Sequence, residues 1–252
     1  MYQNLALEAL DVWKEWNQEL AESSNLMNGL SQEDVLYVNS GSLNIFTTSE
    51  LPPFEQQSLD NITAAGKGQT QFVVNRPGDR TRAAELGFGY ALDPFYREAR
   101  GKQYNARLDI SGGLCYADKA CLFALHKARE LGVKFIFGTS GTFESFTYSK
   151  FDPSEVTGVR TADGLEHTAV LTIVAGGGWT PTLVPELDGL CETTGGSVLF
   201  YEIPRKSPLW DRFSSKNFPS YAFGMRDGAR GGIYGFPRDE NGIMKIGYRG
   251  TK

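Results

Sequence analysis

ADKACLFALHKARELGVKFIFG, residues 117–138, sets a helix directly before a strand with one glycine between them. Up to Glu130 the apolar residues recur at helical spacing, and Gly132 stands where a left-handed C-cap belongs. Residues 133–137 then read as a short buried strand. After a further strand and a loop, HTAVLTIVA (167–175) reads as another strand, running into Gly176, Gly177, Gly178 and Trp179 and a helix start. Helix, strand, loop and strand again form a βαβ-like passage, the mark of an α/β layer.

Outside this passage the period changes. Residues 2–22 carry Leu5, Val12, Trp13, Trp16 and Leu20 on one helical stripe. Residues 30–48 read as two strands around Asn39, Ser40 and Gly41. A helix restarts after Pro52 and Pro53, 70–75 is a short strand, and 78–101 is a helix followed by a polar connection. From residue 193 strands dominate: GSVLFYEIP, SYAFGM, GGIYGFP and GIMKIGYRG. An α/β part around 111–190 thus sits between pieces of a more antiparallel β part, 31–75 and 193–250. That interleaving predicts two domains whose segments alternate along the chain.

Composition narrows the function. With 40% hydrophobic and 22% charged residues the chain reads as an ordinary soluble globular protein. Its net charge of -5 argues against a nucleic-acid partner. No apolar run approaches the ~20 residues that cross a bilayer, and the start lacks the pattern of a signal peptide. Cys115, Cys121 and Cys191 show no metal-ligand spacing, so no metal is expected and a reducing, intracellular compartment is the simpler reading. The two histidines, His126 and His167, leave little for a metal site or several bases, and neither HExxH nor GxSxG occurs.

Two stretches could carry chemistry. The glycines at 176–178 let the backbone turn sharply and approach a ligand, and a following helix start offers N–H groups to an anion. A plain tight turn is the competing reading. GFGYAL (87–92) lacks the third glycine of a dinucleotide loop and follows a helix, so it is rejected. In the hairpin YGFPRDENGIMKIGYRG (234–250), the simplest register sets Phe236 opposite Ile243 and Tyr234 opposite Lys245. Lys245, Gly247 and Arg249 then share one face, and Met244, Ile246 and Tyr248 the other. The first face is either simply wet or a polar cluster facing a cofactor, with Gly247 admitting a flat ring. His126 reads as a surface or boundary residue, and His167 has no partner in view. Cys115 reads as a thiol beside a helix N-terminus or as a buried structural thiol. RPGDRTR (76–82) reads as a solvated loop.

The segments VLTIVAGGGWTPTLVPEL (170–187), YGFPRDENGIMKIGYRG (234–250) and SGGLCYADKACLFALHKARELGVKFIFG (111–138) together resemble the flavin-dependent secondary-amine oxidases. That family includes monomeric sarcosine oxidase, pipecolate oxidase, fungal saccharopine oxidase and fructosyl amino acid oxidase. The resemblance implies an α/β fold in which a partial FAD-binding, glutathione-reductase-like domain (1–30 and 111–190) interleaves with a mainly antiparallel β-sheet substrate domain (31–110 and 191–252). It implies FAD as cofactor, a small amino acid substrate and O2 as reactants, a monomer, no membrane or nucleic-acid partner, and a cytoplasmic or peroxisomal location.

Site residues carry over by position. Lys245 matches the family's lysine near flavin N5, implicated in O2 activation. Tyr234 matches a tyrosine lining the substrate pocket. Arg249 stands where sarcosine oxidase has a histidine and could pair with a substrate carboxylate. Ala175, Gly176, Gly177, Gly178 and Trp179 resemble the turn beside FAD, and Gly141 and Thr142 the stretch contacting its adenosine half. The implied reaction oxidises the carbon beside a secondary amine to an imine that hydrolyses, with hydrogen peroxide as co-product. KIGYRG lacks the acidic pair of the fructosyl branch, which tilts the substrate toward saccharopine, pipecolate or sarcosine.

The family's opening strand, GxGxxG loop and helix have no counterpart here, nor does its flavin-linking cysteine. The chain therefore resembles the middle of such an oxidase. Three rival expectations stand beside the oxidase: a catalytically inactive truncated fragment, a non-catalytic binding protein on the same scaffold, and an NAD-dependent dehydrogenase.

Overall fold

A computed structural model describes residues 2–102, 104–193, 195–224 and 231–249. The chain forms two compact units, residues 1–126 with 196–252, and residues 127–195. In order, the first unit contains α1 (Tyr2–Glu22), β1 (Tyr37–Val38), β2 (Ser42–Phe46), α2 (Pro53–Ile62), β3 (Gln71–Val73), α3 (Asp79–Glu85), β4 (Asn105–Asp109) and β5 (Leu114–Cys115). Helix α4 (Ala117–Glu130) runs across the boundary. The second unit holds β6 (Phe143–Tyr148), β7 (Val156–Thr161), β8 (Glu166–Thr168) and α5 (Thr180–Leu183). The first unit then resumes with β9 (Ser197–Glu202), β10 (Ser220–Phe223), β11 (Gly232–Gly235) and β12 (Ile243–Arg249).

The first unit is built on a seven-stranded sheet in the order β3-β4-β2-β10-β11-β12-β9. Only β2 and β10 run parallel among these neighbours; the other pairs are antiparallel. Strand alternation sorts its side chains. One row across the sheet reads Phe72, Leu108, Leu43, Tyr221, Gly235 and Ile246, and this face carries the main core. The next row reads Val73, Arg107, Asn44, Ala222, Tyr234 and Gly247 and belongs to the opposite face. A smaller core forms where Leu20 of α1 and Phe123 of α4 close on Leu36, with Trp16 edge-on to Phe123. The expected flavin-binding segments, 1–30 and 111–190, therefore run across the division by compactness.

On the second face, α2 brings Glu55 against the β3–β4–β2 end. Arg107 Nε donates to the Glu55 carboxylate at 2.8 Å, and its Nη1 donates to the Gln71 side-chain oxygen at 2.8 Å. Asn44 adds a second donor to Glu55 at 3.3 Å. Both charges are nearly enclosed, so each is held by the other rather than by water.

Several expected elements differ. Strands β1 and β2 do not pair with each other: β1 pairs with β5, and β2 lies between β4 and β10. The break is at Gly41 (φ +79), whose N–H reaches the carbonyl of Gly112. Gly113 permits this crossing, since a Cβ there would stand 2.0 Å from the Val38 oxygen. The hairpin register is shifted by two residues, with Tyr234 opposite Gly247. The cause is the turn. Asp239 accepts the N–H groups of Asn241 and Ile243 on its carboxylate while its own N–H reaches the Ile243 carbonyl. A shift of two leaves every side chain on its expected face.

The second unit has a three-stranded antiparallel sheet, β6-β7-β8. The βαβ-like passage expected around it is not formed. Residues 133–137 and 169–176 belong to no strand, and only Glu166–Thr168 enters a ladder. Val133 is 50% exposed, Phe137 65% and Leu171 76%. An extended apolar run becomes a fully buried strand only with a paired neighbour on its edge and cover on both faces. Among the described residues these runs have neither.

Two outcomes are expected. Arg107→Met leaves the Glu55 carboxylate buried without its cation and lowers stability by about 3–5 kcal/mol; Arg107→Met/Glu55→Leu recovers much of this, read by denaturant unfolding. Burial pushes the Tyr37, Tyr90 and Tyr221 hydroxyls up to about 12. The folded state thus holds their protons more tightly. Their contribution is full below pH about 10 and lost as pH rises through about 10 to 12, so circular dichroism and tyrosinate absorbance should change together in that window.

Candidate functional site

Lys245 and Tyr234 share the second face of the large sheet, on neighbouring strands and diagonal to one another, since Tyr234 stands opposite Gly247. The ring of Tyr234 rests on Gly247: a Cβ at that glycine would fall 2.2 Å from Tyr234 Cζ. The flat ring that Gly247 was expected to admit is therefore one of the protein's own. Tyr221 does the same to Gly235 on the core face, where a Cβ would stand 2.5 Å from the tyrosine hydroxyl. Aromatic rings thus cover bare backbone on both faces of the hairpin.

Lys245 is half-buried and pairs with Phe200 of β9. On its other side the Phe236 N–H reaches the Lys245 carbonyl at 3.3 Å. Its ammonium lies 6.0 Å from the Phe200 ring centre, and among the described residues no carboxylate or hydrogen-bond acceptor meets it. Tyr234 stands edge-on to Phe236 at 5.9 Å. Lys245 is thus a cation flanked by rings and lacking a counter-ion, a setting that favours an anionic ligand oxygen. Arg249 pairs with Gly232 through its backbone; its side chain lies outside the described residues.

The other expected residues lie in the second unit. Gly177 has φ +55, and the space a Cβ would take there is open. Gly176 and Gly178 are closer packed, against Leu183 and Thr193. Trp179 is 75% exposed. Ala175 lines a small apolar cavity with Phe143, Phe146 and Val159. Helix α5 has only four residues and carries a proline in its first turn, so the expected anion-binding helix start is not built. Gly141 and Thr142 are exposed on a 3₁₀ turn; the Thr142 hydroxyl donates to the Gly138 carbonyl at 3.0 Å.

Four side readings are corrected. His126 is buried, tilted against Phe123. His167 has a partner, its Nε2 lying 3.1 Å from the Thr161 hydroxyl. Cys115 is exposed, not structural. Its thiol is pushed up rather than down, first by desolvation and then by Cys121 and Asp118. Within RPGDRTR, Asp79 is buried and accepts the Val73 N–H at 2.8 Å. The rings beside Lys245 were not singled out in the sequence, because β9 meets β12 across some forty residues of chain. Among the described residues no group of His, Cys, Asp and Glu could hold a metal, and no helix is long and apolar enough to cross a membrane.

A profile of the FAD-dependent oxidoreductase (DAO) family matches residues 1–251. The chain belongs to this family. FAD is accordingly its cofactor. Among solved structures, fructosyl peptide oxidase from E. terrenum is similar at a TM-score of 0.68 and 21% identity, covering 97% of this chain and 48% of that one. A modified fructosyl peptide oxidase from Aspergillus nidulans gives 0.66 and 23%, covering 97% and 49%. Amadoriase II, the fructosamine oxidase of Aspergillus fumigatus, gives 0.54 and 20%, covering 94% and 47%. These likenesses establish the fold. The chain spans about half the length of the structures it matches. Comparison with curated protein sequences returned no match.

Each unit, taken by itself, carries residues that suit contact with FAD. Gly177 offers open backbone beside exposed Trp179, and Lys245 offers an uncompensated cation. A GxGxxG loop for the pyrophosphate does not occur in the 252 residues. If Tyr234 is seated on Gly247 as described, Gly247→Ala must displace its ring and costs about 1–3 kcal/mol. In a double-mutant cycle with Tyr234→Ala most of that cost should vanish.

Proposed function

We propose that this chain supplies the lysine-bearing face of an FAD-dependent oxidase of secondary amino acids, of the saccharopine, pipecolate, sarcosine or fructosyl type. Its products would be an imine, which water hydrolyses, and hydrogen peroxide. The observation that carries the reading is the half-buried Lys245, on the same sheet face as Tyr234 and with no counter-ion among the described residues.

The chemistry that FAD supplies when bound is two-electron oxidation of the carbon beside the amine and delivery of those electrons to O2. The chain's own residues do the rest. Lys245 presents a fixed positive charge that stabilises negative charge developing on a nearby oxygen. The Phe200 ring lies beside that charge but is itself 58% exposed, so water still reaches the ammonium and screens it. The Tyr234 hydroxyl, on a ring seated against Gly247, can donate to or accept from a polar group of the substrate. Gly177 and Trp179 would hold the cofactor through open backbone and an exposed ring.

A second reading is favoured by a specific observation. Val170, Leu171 and Ile173 in the second unit are largely exposed, which suits a 252-residue chain that is catalytically inactive or only binds. One preparation separates the two. The oxidase reading expects a flavin absorption spectrum and peroxide with at least one of sarcosine, pipecolate, saccharopine and fructosyl-valine. Lys245→Met should then slow flavin reoxidation by O2 by about 10²–10³-fold, the scale of losing one preorganised charge donor, with little change in flavin reduction. A colourless chain without peroxide supports the second reading, and unchanged reoxidation removes the role given to Lys245.

A further inference from the structure

A cleft of about 470 Å³ in the first unit opens between residues 89–96 and 212–218. Its volume falls in the ordinary range of small-molecule sites. Phe218 and Leu92 form its floor, and both belong to the main core. The cleft therefore lies on the core face of the sheet, opposite the face that carries Lys245.

Arg212 lines this cleft in a fixed pose. Its guanidinium lies 4.2 Å from the Tyr96 ring and 5.3 Å from the Phe213 ring. Nη2 donates to the Pro94 carbonyl at 3.0 Å. Among the described residues its other N–H groups meet no acceptor, and no carboxylate pairs with it. The neighbouring charges are already engaged. Arg80 is paired with Glu98 and donates to the Val74 carbonyl. Asp93 also lines the cleft; its carboxylate accepts the backbone N–H groups of Arg97 and Glu98 and keeps its negative charge, from which a bound anion must be held away. What remains is one stacked, pre-oriented guanidinium fork facing an apolar-floored space.

Tyr96 reinforces this reading. It is the one non-glycine residue with positive φ (52°) among the described residues, and it is half-exposed. Such a backbone costs energy and persists where the surroundings hold it, often at ligand sites. Here it keeps the ring against Arg212.

We propose that this cleft is a second binding site, in which Arg212 takes the carboxylate or phosphate of a ligand whose flat apolar body rests on the half-buried Tyr90, above a floor closed by the buried Phe218. Preorganisation is what makes the single guanidinium sufficient, since little freedom is left to lose on binding.

Calorimetric titration of the 252-residue chain tests this, with phenylacetate, phenyl phosphate and inorganic phosphate as probes. At least one aromatic anion should bind saturably and about tenfold more tightly than inorganic phosphate; which one it is separates carboxylate from phosphate. Arg212→Met should weaken that binding about tenfold or more, and Lys245→Met should leave it unchanged. Tyr96→Gly relieves the backbone but removes the stacking ring, and should also weaken binding, so the test survives poor folding of Arg212→Met. Absence of saturable binding by either aromatic anion overturns the site, as does binding that persists in folded Arg212→Met and Tyr96→Gly or is lost in Lys245→Met. Equal affinity for inorganic phosphate overturns the apolar platform.

Discussion

The parallel contact between β2 and β10 is the seam on which the first unit depends. It joins two stretches of chain more than 170 residues apart, with Leu43 beside Tyr221 and Asn44 beside Ala222. Parallel pairing needs a long crossover and is never a local event. Here it is pinned at its start, where the Ser220 N–H reaches the Gly41 carbonyl and the Ser220 hydroxyl reaches that of Gly113, both at 3.0 Å. Both rows that define the sheet cross this seam. On one side lie Arg107 and Glu55; on the other lie Tyr234, Gly247 and Lys245.

A second constraint acts at the far end of the hairpin. Arg238 lies 3.6 Å from the Trp210 ring centre, donates Nε–H to the Trp210 carbonyl and Nη1–H to that of Asp239. Its backbone N–H is taken by Phe213. Desolvation holds its guanidinium below the usual arginine range, with Asp211 opposing. These contacts tie the turn to the loop before β10. Since register follows from the turn, they decide which residue of β12 meets Phe200 on one side and Phe236 on the other.

Legibility in the sequence followed the range of the forces involved. Helices α1 and α4, the Gly132 stop and the strands from 197 onward rest on local period and turn chemistry, and they formed where expected. The face shared by Lys245 and Gly247 was also legible, because alternation alone determines it. The register was not. It turns on the Asp239 carboxylate capping two N–H groups, which an apolar pattern does not encode. Residues 133–137 and 169–175 carry strand-like composition but no ladder, since composition says nothing of whether a partner edge is present. Phe200 and Arg212 owe their surroundings to contacts with distant residues, so neither stood out as a site. The family was readable because Tyr234, Lys245 and the 176–179 turn keep a characteristic spacing, whereas substrate identity has no such local signature.

The seating of Tyr234 on Gly247 bears on conformational entropy. A tyrosine standing free on a sheet would surrender rotamer freedom when it engaged a ligand, about 0.5–1.5 kcal/mol for an immobilised side chain. Tyr234 has already surrendered it during folding, against backbone that is itself laddered to β9 and β11. In the substrate-facing role proposed for it, the hydroxyl would meet a ligand as a rigid fixture. A group of the right length would be accepted at little entropic cost, and one slightly too long would meet a ring already seated against Gly247.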